Sequence, residues 1–253
     1  MKKLFLSILF IFTINGANLN ALQKPEYDLY THITAKAGLF FDNPDEINSA
    51  ISALGYPEIK SDLAPYIGIN YAANHFPFLF YSIPNIFFSL DVRFPLERKS
   101  TNIFSSELKT TSVFFELEGF HDLINNITVY PIVGFGFSWT NLDLYDTLLN
   151  SDIREITNGS VKRTRFSKFN ALLNLGGGMD YKVNLVQDFM KKVNLIVGLN
   201  IRYSLNLDVL GLYDKSWASA GKAVSGLPDY HAPGLSIEMK VGVEYLQKTP
   251  KTN

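Results

Sequence analysis

The sequence predicts an all-β chain, an eight-stranded antiparallel transmembrane β-barrel with an N-terminal signal peptide, and three observations predict it. Eight stretches alternate between apolar and polar residues, and the loops joining them are long and short in turn. The chain is 253 residues long and 14% aromatic, yet its mean hydropathy is only +0.05. A helical membrane protein would be far more apolar. A barrel averages near neutral, because lipid-facing and lumen-facing residues alternate and cancel. The net charge of −1 gives no polyelectrolyte attraction toward nucleic acid. The absence of cysteine excludes a disulfide scaffold and thiolate metal sites.

Met1-Lys2-Lys3 opens the chain, followed by apolar Leu4 to Ile14 and a small, polar run to Ala21. That layout predicts a signal peptide over residues 1–21, since a spanning helix needs about 20 apolar residues. The barrel domain then occupies 22–253. No later stretch reaches helical spanning length; the apolar run from His75 to Leu90 is broken by Pro77 and Pro84.

Leu29 to Phe41 is the first strand, with Ile33, Ala35, Ala37 and Leu39 on one face and His32, Thr34 and Lys36 on the other. A polar insert, Asp42 to Asp62, has room for a helical turn or two before Leu63 to Ala73. Strand three, Ile86 to Leu96, sets Phe88, Leu90, Val92 and Phe94 against Ser89, Asp91 and Arg93. Strand four, Leu108 to Gly119, turns Val113, Phe115 and Leu117 outward and Glu116 and Glu118 inward. Strand five is Ile127 to Thr140 and strand six Lys168 to Val183. Strand seven, Val193 to Leu205, and strand eight, Gly234 to Leu246, repeat the pattern; in the last, Leu235, Ile237, Met239, Val241 and Val243 oppose Glu238, Lys240 and Glu244.

Loops after strands one, three, five and seven are long and polar, and the others shorter. Outer-membrane barrels sort their loops this way, with tight periplasmic turns and long exterior loops, whereas a soluble sandwich has no reason to. Closure also removes sheet edges, for which hydrocarbon offers no hydrogen-bonding partner. Both termini are expected in the periplasm.

Ile127-Thr-Val-Tyr-Pro-Ile-Val-Gly-Phe-Gly-Phe-Ser and Asn174-Leu-Gly-Gly-Gly-Met-Asp-Tyr-Lys carry a family likeness. They resemble the fifth and sixth strands of the eight-stranded outer-membrane barrels, the OmpA-like and opacity-type surface proteins of Gram-negative bacteria. Val113-Phe-Phe-Glu-Leu-Glu-Gly before that fifth strand also resembles surface antigens of intracellular alphaproteobacteria. The resemblance implies a monomeric, non-enzymatic outer-membrane surface protein. It would serve envelope integrity, adhesion or antigen display through four exterior loops, with membrane lipids, lipopolysaccharide and a host-surface ligand as partners. The family usually ends on an aromatic residue, whereas here Tyr245 is followed by Leu246 to Asn253. Peptidoglycan binding is not implied.

The residues placed inward include Lys36, Asp91, Arg93, Glu116, Glu118, Asp180, Lys182, Arg202, Glu238, Lys240 and Glu244. Both signs occur, which predicts a paired network filling the bore rather than a one-sign pore ring. The rival readings are a narrow pore or small-solute transport barrel and, more distantly, a lipid-A-modifying enzyme. For the latter, His32-Ile-Thr34 sets threonine where a serine nucleophile is needed. His32, His75, His121 and His231 lack metal-ligand spacing, and no cofactor is expected.

Lys162, Arg163, Arg165 and Lys168 cluster where the third long loop meets the membrane rim, and are candidates for contact with lipopolysaccharide or another anionic surface. Tyr30, Phe40, Phe41, Phe94, Trp139, Tyr181, Tyr203 and Tyr245 are expected in interfacial girdles. Gly176-Gly177-Gly178 has no helix after it, so a close-packing point in the wall is expected rather than a phosphate loop.

Overall fold

A computed structural model of the chain describes residues 29–41, 44–59, 63–74, 86–96, 99–101, 104–124, 126–146, 162–188, 190–207, 216–228, 230 and 234–248. The signal peptide expected over 1–21 and the apolar connection His75 to Asn85 lie outside them.

Strict period-two stretches fold as β1 (Leu29–Phe41), β2 (Leu63–Ala73), β3 (Ile86–Pro95), β5 (Phe104–Gly119), β7 (Ile127–Asp146), β8 (Lys162–Gln187), β9 (Lys191–Asn206) and β12 (Leu235–Gln247). Each pairs antiparallel with its neighbour, β1 pairs β12, and β7 pairs β8, so the sheet closes on itself. Short strands β4 (Lys99–Thr101), β6 (His121–Ile124), β10 (Trp217–Ser219) and β11 (Lys222–Val224) attach to this ring, and a helix, α1 (Asp45–Ala53), follows β1.

The pairing register fixes the shape. From Val183 on β8, successive partners are Leu195, Val243, Ile33, Tyr71, Leu90, Phe115 and Phe135, and the circuit returns to β8 at Leu173. The ring therefore closes with a stagger of ten residues. With a rise of about 3.3 Å per residue and strands about 4.8 Å apart, eight strands so staggered tilt by about 40° around a backbone radius of about 8 Å. Such a bore is filled by its own side chains.

Burial is inverted relative to a water-soluble barrel. Ile33, Ile69, Leu199, Ile201, Met239 and Val241 are exposed on the outer wall, whereas Lys36, Asn70, Asn200, Arg202, Glu238 and Lys240 at the alternate positions are buried. Apolar outside and charged inside is the arrangement a lipid solvent favours.

At the rim opposite the chain ends the inversion reverses. Strands β5, β7 and β8 continue past the aromatic pair Trp139 and Phe169, beyond the expected ends at Leu108, Thr140 and Lys168. In these extensions the outward positions are polar: Asn141, Asp143, Arg163, Arg165. The inward ones, Leu108, Leu142 and Leu144, are buried and apolar. They meet Ile47, Ile51, Ile59, Trp217 and Tyr230 in a hydrophobic cluster capping this end.

Helix α1 enters the cluster because Ile47 and Ile51, four residues apart, share one face. Asp45 and Glu46 favour its N-terminus. Its C-terminus closes on Gly55 (φ 84°), with the Gly55 and Tyr56 amides donating to the Ser52 and Ile51 carbonyls. Asn48 clamps Ile59 through both its backbone groups. The β10–β11 hairpin turns through Ala220 and Gly221, both at positive φ as a two-residue hairpin requires, and places Trp217 in the cap.

Candidate functional site: the charged interior and the outer rim

The inward parity of six ring strands brings all eleven charged residues expected inside to the interior. Ten are buried and Lys182 is partly so. They form two tiers. In the middle tier Lys36 Nζ lies 3.1 Å from both Asp91 Oδ2 and Glu238 Oε1, and an Arg93 terminal nitrogen is 3.0 Å from Asp91 Oδ2. Arg202 reaches Glu116 at 3.0 Å and Asp91 at 3.6 Å, and also pairs with Glu238. Three acids thus meet three bases. The Arg93 guanidinium lies 4.5 Å over the Phe114 ring and 5.4 Å over that of Tyr66, whose hydroxyl donates to Glu238 at 2.6 Å.

Nearer the chain ends, Lys240 pairs with Asp180 and Lys182 with Glu244, each at 2.9 Å. His32 Nε2 lies 3.1 Å from Asn70 Oδ1 and 3.9 Å from Glu118. Asn70 and Asn194 donate to Glu118 and Glu244. The Tyr130 hydroxyl sits 3.0 Å from Asp180 and 2.6 Å from Asn200. Below this tier the rings of Phe87 and Phe120 pack around His32, and Tyr30 packs edge-on against Phe87. Buried charges are tolerated only when paired and further hydrogen-bonded, and asparagines and tyrosines supply those extra bonds. These uncharged partners share the inward parity of the charges, though the expected network names the charges alone.

Glycines at inward positions provide the space. A Cβ on Gly178 would run into the Tyr130 ring and the Asn200 amide, and one on Gly198 into the Asp180 carboxylate and the Lys240 stem. Gly177, next to Gly178 but at outward parity, meets only ordinary contact. Gly198→Val is expected to abolish the compact, heat-shifted form on gels, whereas Gly177→Ala leaves it intact.

Two expectations need correction. Tyr30 and Phe40 are not girdle residues: they share the parity of His32 and Lys36 and turn inward, Phe40 stacking 4.2 Å from Tyr66. Phe41, Phe94, Trp139, Tyr181, Tyr203 and Tyr245 do face outward. Lys168 is buried in the interior at 2% exposure, because it has the parity of Asn170, whereas Arg163 and Arg165 project from the outer surface. Lys162 opens β8. His121 lies in β6, and His75 and His231 fall outside the described residues.

A closed eight-strand register, an apolar outer wall and a paired ionic interior define the class: a transmembrane β-barrel of the outer-membrane type. Among solved structures the chain is similar to Neisserial surface protein A, at 11% identity over 88% of this chain and 97% of that one, with a TM-score of 0.42. It is similar also to the attachment invasion locus protein Ail of Yersinia pestis, at 11% identity over 86% and 97%, with a TM-score of 0.39. A major outer membrane protein of Thermus thermophilus gives 13% identity over 85% and 98%, with a TM-score of 0.40. No family model matches the chain, and neither does any curated protein.

Proposed function

We propose that the protein is an outer-membrane surface barrel with a sealed lumen, its termini in the periplasm and its capped rim facing outward. The observation that carries this reading is the occupancy of the bore. Arg202 alone contacts three carboxylates from three other strands, and the tier it belongs to lies between an aromatic layer at one end and the hydrophobic cap at the other. A permeation path would need a continuous polar opening, and these paired side chains supply a plug instead.

The protein acts without catalysis, as a monomer, through what its outer rim displays. Because α1 and the β10–β11 hairpin are anchored in the cap, they present a fixed surface to a partner, which reduces the ordering cost of binding. Envelope support, adhesion and antigen display all use such a surface. His32 is committed to Asn70 and Glu118 inside the bore, which speaks against a hydrolytic role.

The test is reconstitution in planar bilayers with labelling of intact cells. Heat-modifiable protein without steady conductance, cleaved by external protease at the capped rim, is the expected result. Stable unitary currents would favour the pore.

A further inference from the structure

We infer that the outward face of β5, β7 and β8, just beyond the aromatic belt, is a binding site for the phosphate of a phosphorylated lipid in the adjoining leaflet. This rests on the proposed outer-membrane orientation, which makes that leaflet the exterior one. Three successive cross-strand rows build the site: Lys109–Asn141–Ser167, Glu107–Asp143–Arg165 and Ser105–Tyr145–Arg163. The row beneath them is Thr111–Trp139–Phe169, where the lipid-facing wall ends. Asp143 is four residues beyond Trp139, which at about 3.3 Å per residue and a tilt of about 40° lifts it about 10 Å above the belt, the height of lipid headgroups.

The electrostatics are layered. The Asp143 carboxylate is fully covered, and two guanidinium forks close over it. Arg165 donates through Nε at 2.8 Å and a terminal nitrogen at 3.1 Å, and Arg163 donates through Nε at 3.0 Å and a terminal nitrogen to the other oxygen. Glu107, also covered, accepts from Lys109 at 2.6 Å and from the Tyr145 hydroxyl at 3.0 Å. The Arg163 guanidinium lies 5.6 Å over the Tyr145 ring. Side-chain exposure is 41% for Arg163, 49% for Arg165 and 40% for Lys109, against 0% and 3% for the two carboxylates. A ligand therefore meets three cations held in place by two acids beneath them.

Each arginine uses Nε and one terminal nitrogen on Asp143 and turns the rest of its fork outward, the geometry that holds a phosphate through paired donors. Holding both forks on one carboxylate removes most of the rotamer entropy that binding would otherwise cost. The patch faces sideways from the wall, one row above residues that touch acyl chains. A lipid phosphate reaches it in place, whereas a soluble polyanion would have to enter the headgroup layer. Lys168, buried inside, takes no part, and the acids and Tyr145 organise the site.

The test uses full-length mature protein in detergent, with diphosphoryl lipid A and its dephosphorylated counterpart as probes, retention being read by native mass spectrometry. Wild type is expected to keep the diphosphoryl form at least about tenfold better, the worth of one or two charge-assisted hydrogen bonds. Arg165→Gln weakens that preference and Arg163→Gln/Arg165→Gln removes it, while both variants still shift on heating. Equal retention of the two lipids by wild type, or an unchanged preference in the double variant, would overturn the site. Competition by inorganic phosphate alone, without lipid preference, would mark a free-anion site and also overturn it. Loss of the heat shift in wild type would sink the barrel reading itself, a separate outcome.

Discussion

Replacing Arg202 with methionine destabilises the barrel by about 3–5 kcal/mol, the cost of breaking a buried ion network by removing one partner. Arg202 contacts more carboxylates than either other cation of the middle tier, touching Asp91, Glu116 and Glu238. Without it Lys36 and Arg93 are the two cations left to three carboxylates in this tier, in a bore whose side chains are out of contact with solvent. Methionine matches much of the volume, so the loss is electrostatic rather than a cavity effect. A double replacement, Arg202→Met with Glu116→Gln, restores the balance of acids and bases and recovers part of the loss. Coupling of this kind is expected of residues in one network. Urea titration of the lipid-reconstituted protein measures both variants. Equal destabilisation by the single and double variants would show that the pair does not act as a unit.

Leu199→Arg is the second large effect, about 2–4 kcal/mol in folding into a bilayer. Leu199 is the middle one of seven outward side chains on β9, Val193 to Leu205, so its arginine sits at the centre of the hydrocarbon with the least chance to reach a headgroup. On a water-exposed surface the same change stays within about 0.5 kcal/mol. Leu205→Arg, at the end of the series, should cost much less, and the gradient along one strand is the signature of lipid. A flat response along β9 would remove the membrane from the account.

The ring was legible because one rule, apolar out and polar in, holds through every lipid-facing stretch. The bounds of β1 and β2 agree with the alternation residue for residue, and the inward charges follow from parity alone. The cap was hidden because the rule reverses there. Leu108, Leu142 and Leu144 take the inward parity that lower down belongs to Glu116 and Ser138, so a search for outward apolar residues stops at Trp139 and Phe169.

The cap also joins Ile47, Leu142 and Trp217, residues far apart in the chain whose meeting no local period announces. Nearness to a strand end points Phe40 and Tyr30 to the membrane girdle, but parity turns both inward. Sequence distance groups Lys168 with its basic neighbours, yet odd and even residues of β8 face opposite sides of the wall. In each case facing, rather than proximity in sequence, decided the outcome.

The most direct test of the inside-out sheet uses the natural absence of cysteine. Single cysteines placed in turn at Leu235, Ser236, Ile237, Glu238, Met239, Lys240 and Val241, spin-labelled in reconstituted protein, report the surroundings of each side chain. High collision rates with oxygen dissolved in the bilayer are expected at 235, 237, 239 and 241, with low rates at 236, 238 and 240. The opposite phase, or no period of two, would contradict the account.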